Sequence, residues 1–226
     1  MWKSDNELFH LVKTELFTAV VGDVMDATGL TLQFLPREIQ PLRPEMMVVG
    51  RAMPVLDADC AGDEISHEKA SKPFGLLFRA LDDLHRHDVY LCTGGSPTFA
   101  AWGGLMTTRA MQLGAAGAVL NACSRDTREI LALDFPTFSL GRYGQDQRIR
   151  GRVVDFRCPV SFANGVRVRP GDLIFGDMDG VLVVPSEAVE EIVSAALEKV
   201  RGESQVRTAI ENGMSAQEAY DTYGIL

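Results

Sequence analysis

Residues 88–121 constrain the chain more than any other stretch. Asp88 to Thr93 (DVYLCT) reads as a short buried strand, and Gly94 to Gly104 as a loop with four glycines and one proline. Leu105 to Leu113 follows as a helix that Gly114 stops at a C′ position. Gly117 to Asn121 (GAVLN) is a second apolar strand. Strand, helix and strand at this length predict a right-handed crossover with parallel strands. The loops 94–104 and 122–129 then leave the carboxyl ends of neighbouring strands. They line one crevice, the usual ligand position of an open α/β sheet.

The flanking pattern extends this unit. Residues 5–28 read as helical, with Leu8, Leu11, Val12 and Leu16 near 3.6 spacing, a break at Gly22-Asp23 and an end at Thr28-Gly29. Met46 to Val55 predicts a strand broken by Gly50. Asp57, Asp59, Asp63, Glu64 and His67 fall in a polar stretch, read as a surface loop or lid over 57–78. Residues 75–86 predict a helix ending at His85-Arg-His87. Strands are expected at 136–140, 153–156, 166–168, 173–175 and 181–184, with turns at 169–172 and 177–180. Ser186 reads as the N-cap of a helix whose stripe is Val189, Ile192, Val193, Ala196 and Val200, and a last helix is expected around 215–222. With 226 residues, this suits one domain over 1–226, its core about 14–186, with helical extensions at each end, the second over 187–226.

Charge and cysteines narrow the partners. Lys plus Arg is 22 against 31 for Asp plus Glu, a formal −9, so nucleic acid and anionic membranes are poor partners at long range. Cys60, Cys92, Cys123 and Cys158 are too far apart in sequence for a zinc knuckle and read as reduced thiols. No apolar run spans a bilayer and no signal core opens the chain, so a soluble cytoplasmic protein is expected.

Chemistry concentrates at Ser124-Arg125-Asp126-Thr127-Arg128-Glu129, directly after a buried strand. Asp126 and Glu129 are three apart and share a face of a helical turn. Two hard carboxylates suit Mg²⁺ or Mn²⁺ with waters completing the coordination, and the Arg125 fork suits a substrate carboxylate. The same residues also read as an N-cap Asp, a first-turn Glu and a surface Arg. Trp102-Gly103-Gly104-Leu105-Met106 opens a helix whose free N–H groups attract anions. It matches neither a P-loop nor GxGxxG. His67, His85, His87, Asp177 and Asp179 are weaker candidates, the last two as plain turn residues.

Gly104, twenty residues, Arg125-Asp126, two residues, Glu129: this spacing resembles the metal platform of the family that includes 4-hydroxy-4-methyl-2-oxoglutarate aldolase and the regulator of ribonuclease activity A. Gly114 to Leu120, Pro170 to Pro185 and Gly213 to Leu226 are similar to further stretches of that family. The resemblance implies a swivelling β/β/α-type fold, a homotrimer or homohexamer with sites between subunits, a divalent metal and pyruvate chemistry. By that resemblance Asp126 ligates the metal, and Arg125 with the backbone N–H groups of Gly103, Gly104, Leu105 and Met106 holds the pyruvyl end. Many members carry an aspartate at the position of Gly104; this variant has an acid at Glu129 instead, a second group for the metal. The expected activity is a metal-dependent class II pyruvate aldolase acting on a small 2-oxo acid, with oxaloacetate decarboxylation through the same enolate. The alternative is a non-catalytic regulator that binds a ribonuclease. A methyltransferase would need a glycine-rich cofactor loop after a first strand, and the sequence has none.

Overall fold

The computed structural model describes residues 2–60 and 73–224; Asp63, Glu64 and His67 lie outside them. The chain divides into two compact units, one of residues 32–186 and one of residues 1–31 with 187–226.

The larger unit is a mixed α/β fold on a nine-stranded, nearly closed, barrel-like sheet. Its strands are β1 (Gln40–Pro41), β2 (Val48–Asp59), β3 (Asp88–Thr93), β4 (Ala100–Trp102), β5 (Gly117–Ser124), β6 (Thr137–Arg142), β7 (Gly151–Phe156), β10 (Leu173–Asp177) and β11 (Gly180–Val184), and β8 (Val160–Ser161) with β9 (Arg167–Val168) makes a separate pair. The main order is β1-β6-β5-β3-β2-β10-β11. β3 is parallel to both β2 and β5, and β5 is parallel to β6. The opening narrows where Leu35 N–H donates to Val181 O and Val183 N–H to Gln33 O, on the segment that leads into β1. The expected crossover is present: β3, α4 (Gly104–Leu113), β5. Every residue of β3 is buried, as a central strand covered on both faces requires. Its helix ends at Gly114, which takes the left-handed φ of +79°. The helices α3 (Leu77–Asp82) and α5 (Thr127–Ala132) complete the unit.

Several expectations change. Gly50 does not break its strand. β2 runs unbroken to Asp59, because a Cβ at Gly50 would lie 2.4 Å from the His87 carbonyl; glycine is what lets β2 lie beside the start of β3. Asp57 and Asp59 therefore sit on a strand, not a surface loop. The helix expected over 75–86 is only Leu77–Asp82, and His85 lies beyond it, 3.6 Å from Asp88 and bonded to Arg157. The glycine loop contains β4, which is too short to show a period.

The smaller unit contains α1 (Asp5–Glu15), α2 (Thr18–Ala27), α6 (Val189–Glu211) and α7 (Ala216–Tyr223). The first helical stretch breaks at Leu16-Phe17, both extended, and not at Gly22, which is buried within α2. α1 and α2 pack on α6. Lys199 pairs with Asp23 at 2.6 Å. Ser186 is not the N-cap of α6. It lies in a 3₁₀ turn with its N–H on Asp172 Oδ1 at 3.0 Å, and the α-helix starts after Ala188. Ser215 caps α7 in a full capping box with Glu218. Among the described residues, no helix is long and apolar enough to cross a membrane.

Candidate active site at the carboxyl ends of the strands

β4 and β5 pair at their ends, Trp102 against Ser124. Arg125 N–H continues the pairing by donating to Trp102 O at 2.9 Å. This places Gly103-Gly104 beside Arg125-Asp126. Trp102 anchors the turn from below: it is fully buried, and its Nε1–H donates to Thr107 Oγ1 at 2.8 Å. The Thr107 hydroxyl in turn donates to Gly103 O at 3.1 Å. The indole also packs on Tyr90, with ring centroids 4.8 Å apart.

Asp126 sits at the N-cap position of α5 but does not cap it. Its backbone is left-handed at φ +55°, and its side chain makes no capping hydrogen bond. Instead Oδ2 accepts from Gly104 N–H of α4 at 3.1 Å. A non-glycine residue in that conformation carries a strain that clusters at functional sites. Here the strain turns the carboxylate off its own helix and across to the neighbouring one. At both glycines a side chain would have to displace the carboxylate that lies over it. A Cβ at Gly103 would come within 2.6 Å of Asp126 Oδ2, and one at Gly104 within 2.1 Å of Glu129 Oε2. The two carboxylates thus lie over adjacent residues of one turn, and Glu129 fills the space that a side chain at position 104 would enter.

The Gly104 N–H is therefore committed to Asp126 and not open to a ligand. Leu105 and Met106, in the first turn of α4, have N–H groups without intrahelical partners. Arg125 stands over the same edge, with Nη1 3.1 Å from Asp146 Oδ1 and Nε 3.9 Å from Asp126 Oδ2. Together these residues border a cleft of about 230 Å³ whose other wall is apolar, with Phe74, Phe78 and Met106. Of the sequence-derived candidates, Gly103, Leu105, Met106, Arg125 and Asp126 line this cleft, and Glu129, which lies over Gly104, lines an adjoining depression that shares Asp126. His85 lines neither; Asp177 accepts from Asp179 N–H at 2.9 Å, as turn chemistry requires. Sequence reasoning missed Asp146 and Gln147, which also line the cleft. They follow β6 in a segment without period or motif.

Asp126 and Glu129 offer hard carboxylate oxygens at a solvent-accessible edge. This donor set fits a cation such as Mg²⁺, which keeps several waters and takes one or two carboxylates. Among the described residues no group of three or more His, Cys, Asp or Glu stands ready to hold a metal alone, so any ion there relies on water or other ligands.

A family model described as RraA-like, Aldolase/RraA, matches residues 18–183. The chain belongs to the RraA-like family. A relative from Halalkalibacterium halodurans, provisionally named 4-hydroxy-4-methyl-2-oxoglutarate aldolase, is 32% identical over 204 residues, covering 90% of this chain and 89% of its own. Protein DlpA of Legionella pneumophila is 29% identical over 207 residues; the alignment takes in 91% of this chain but only 32% of DlpA. In structure, Streptomyces coelicolor RraAS2, described as an unusual member of the RNase ES inhibitor RraA family, superposes with a TM-score of 0.77 at 23% identity, over 92% of this chain and 99% of its own. That likeness concerns the fold.

Proposed function

We propose that the chain is a lyase of the class II pyruvate aldolase type, cleaving a 4-hydroxy-4-methyl-2-oxoglutarate or 4-carboxy-4-hydroxy-2-oxoadipate type of 2-oxo acid and decarboxylating oxaloacetate as a side activity. The observation that carries this reading is the Asp126 carboxylate, which leaves its own helix uncapped to lie over the Gly103-Gly104 turn beside Arg125. The provisional name of the H. halodurans relative supports the same reaction class.

Arg125 is suited to bind the substrate carboxylate through its guanidinium fork. The N–H groups of Leu105 and Met106 provide further anion contacts at the start of α4. In cleavage the C3–C4 bond breaks, and C4 becomes a carbonyl as its hydroxyl proton passes to water in the open cleft. The electron pair passes to the pyruvyl fragment as an enolate, which takes a proton at C3 from water to give pyruvate. Loss of CO₂ from oxaloacetate leaves the same enolate, whose negative charge Arg125 faces. Asp126 and Glu129 would hold Mg²⁺ or Mn²⁺, which supplies Lewis acidity toward the 2-keto group. We further assign the protein to the cytoplasm as a homotrimer or homohexamer, without nucleic-acid or membrane partners; light scattering tests the assembly.

The test is a screen of 2-oxo acids with Mg²⁺ or Mn²⁺ that follows pyruvate release, repeated with excess chelator. Pyruvate release that chelator abolishes supports the reading. No release from any 2-oxo acid, with stable capture of a ribonuclease, would replace it by the regulator.

A further inference from the structure

Behind the cleft lies a polar cluster that the proposed reaction does not use. Asp57, at 3% exposure, projects from β2 into the core. Gln147 Nε2 donates to both of its oxygens, at 2.8 and 2.9 Å. The Cys92 thiol donates to Oδ2 at 3.4 Å. Tyr90, on the same strand as Cys92, keeps a buried hydroxyl without a partner among the described residues. None of the ion pairs among the described residues gives Asp57 a cation. The nearby ionisable groups are Asp59, Tyr90 and Cys92, and none of them is cationic; Arg152 of the paired strand β7 is exposed. A buried carboxylate held in this way destabilises a fold, and groups of that kind cluster where function requires them.

We propose that Asp57 is a positioning residue of the site: through Gln147 it fixes the loop that holds Asp146 against Arg125, and so sets the aim of the guanidinium. The inference rests on the reading of Arg125 as the substrate-carboxylate anchor. Gln147 lines the cleft and is the immediate neighbour of Asp146, whose Oδ1 lies 3.1 Å from Arg125 Nη1. Backbone bonds also hold the loop, Ala100 N–H to Gln145 O and both Arg150 N–H and Gly151 N–H to Gln147 O. Unlike these backbone bonds, the Asp57 clamp depends on ionisation. Burial pushes the Asp57 carboxyl up to about 6, the bonds from Cys92 and Gln147 opposing the shift. Above that pH both oxygens accept from the Gln147 amide. Below it one oxygen carries a proton, becomes a donor, and can no longer accept there. Gln147 then gives up a bond or turns its carbonyl toward the acid, and the loop loses its fixed register.

The experiment follows oxaloacetate decarboxylation and, by calorimetry, oxalate binding, both with Mg²⁺ and from pH 5 to 8. It compares wild type, Asp57→Asn, Gln147→Met and the exchange Asp57→Asn/Gln147→Glu, with melting curves as a folding control. Wild-type KM should fall as pH rises through about 6. Asp57→Asn and Gln147→Met should each raise KM at pH 7.5 roughly tenfold, with kcat within about twofold and the pH step gone. The exchange, which restores one acid and one amide with the roles reversed, should recover part of the loss. Wild-type KM and pH profile in both single variants would overturn the proposal, as would a loss seen only in melting temperature. If wild type neither turns over oxaloacetate nor binds oxalate, the aldolase reading falls first and Asp57 has no such site to position. Activity with an unchanged Asp57→Asn profile defeats the positioning role alone.

Discussion

Asp126 and Asp57 are two aspartates near one cleft, and they are held in opposite ways. Asp126 is partly exposed, lies beside Arg125 and accepts a backbone N–H from a helix start. Asp57 is buried, has only neutral donors and titrates near 6. The first arrangement leaves a carboxylate open to solvent and to a ligand. The second spends stability to keep a charge where no ligand reaches. The proposed roles follow that contrast, Asp126 to act and Asp57 to hold, and what separates the two is access to water and to a cation.

If that division is right, the largest loss comes from the open edge. Asp126→Asn should lower metal affinity or turnover by more than the roughly 10–100-fold usual for a group that only orients a metal ligand. Calorimetry with Mg²⁺ and a pyruvate assay would check it, and full turnover in excess chelator would contradict it. Arg125→Lys keeps the charge but loses the fork. It should reduce kcat/KM for oxaloacetate by roughly 1.5–3 kcal/mol, the worth of a hydrogen bond to a charged group. An unchanged rate would remove Arg125 from the site.

Glu129 offers a more local test. Glu129→Ala should weaken metal binding or turnover about 10–100-fold. Adding Gly104→Asp should restore part of this, because the new side chain enters the space the Glu129 carboxylate occupied. In the wild-type background Gly104→Asp must instead push that carboxylate aside. A change in melting temperature alone, without effect on metal affinity, would reduce Glu129 to a favourable helix-start charge worth ~0.3–1 kcal/mol.

The smallest effect concerns the buried acid and has the opposite sign. Asp57 moves from 3.8 to about 6 on folding, so the fold favours its protonated form. Its contribution is best at low pH and is lost as pH rises from about 4 through 6, a cost on the order of 3 kcal/mol at most. Asp57→Asn escapes that cost, which is already net of the bonds from Cys92 and Gln147, but its amide offers Gln147 one acceptor in place of two, and that mismatch takes back much of the gain. The net at pH 8 should be a gain of roughly 1 kcal/mol or less, which disappears near pH 4.5. Melting curves at the two pH values decide it; a variant equally destabilised at both would show that Asp57 carries no ionisation cost.

The covalent order of residues was enough to place the crossover and its ends. Six buried residues in a row make β3, a glycine at φ +79° ends α4, and Asp126 follows β5 by two residues. These are local signals, read from apolar runs and from what glycine alone tolerates. The alternative that Asp126 is an ordinary N-cap was equally consistent with sequence, because capping depends on a side-chain direction that spacing cannot express. The expected break of β2 at Gly50 failed for a similar reason. That glycine answers a carbonyl 37 positions away in the chain, at His87. Asp57 looked like one of several surface acids, and Gln147 carried no signal. They meet across 90 residues of sequence, in an interior that exists only once β2, β3 and the loop after β6 have packed. Composition and spacing report on neighbours along the chain. Whether a carboxylate faces water and an arginine, or a glutamine in the dark of the core, is settled only by the strands and loops that packing brings around it.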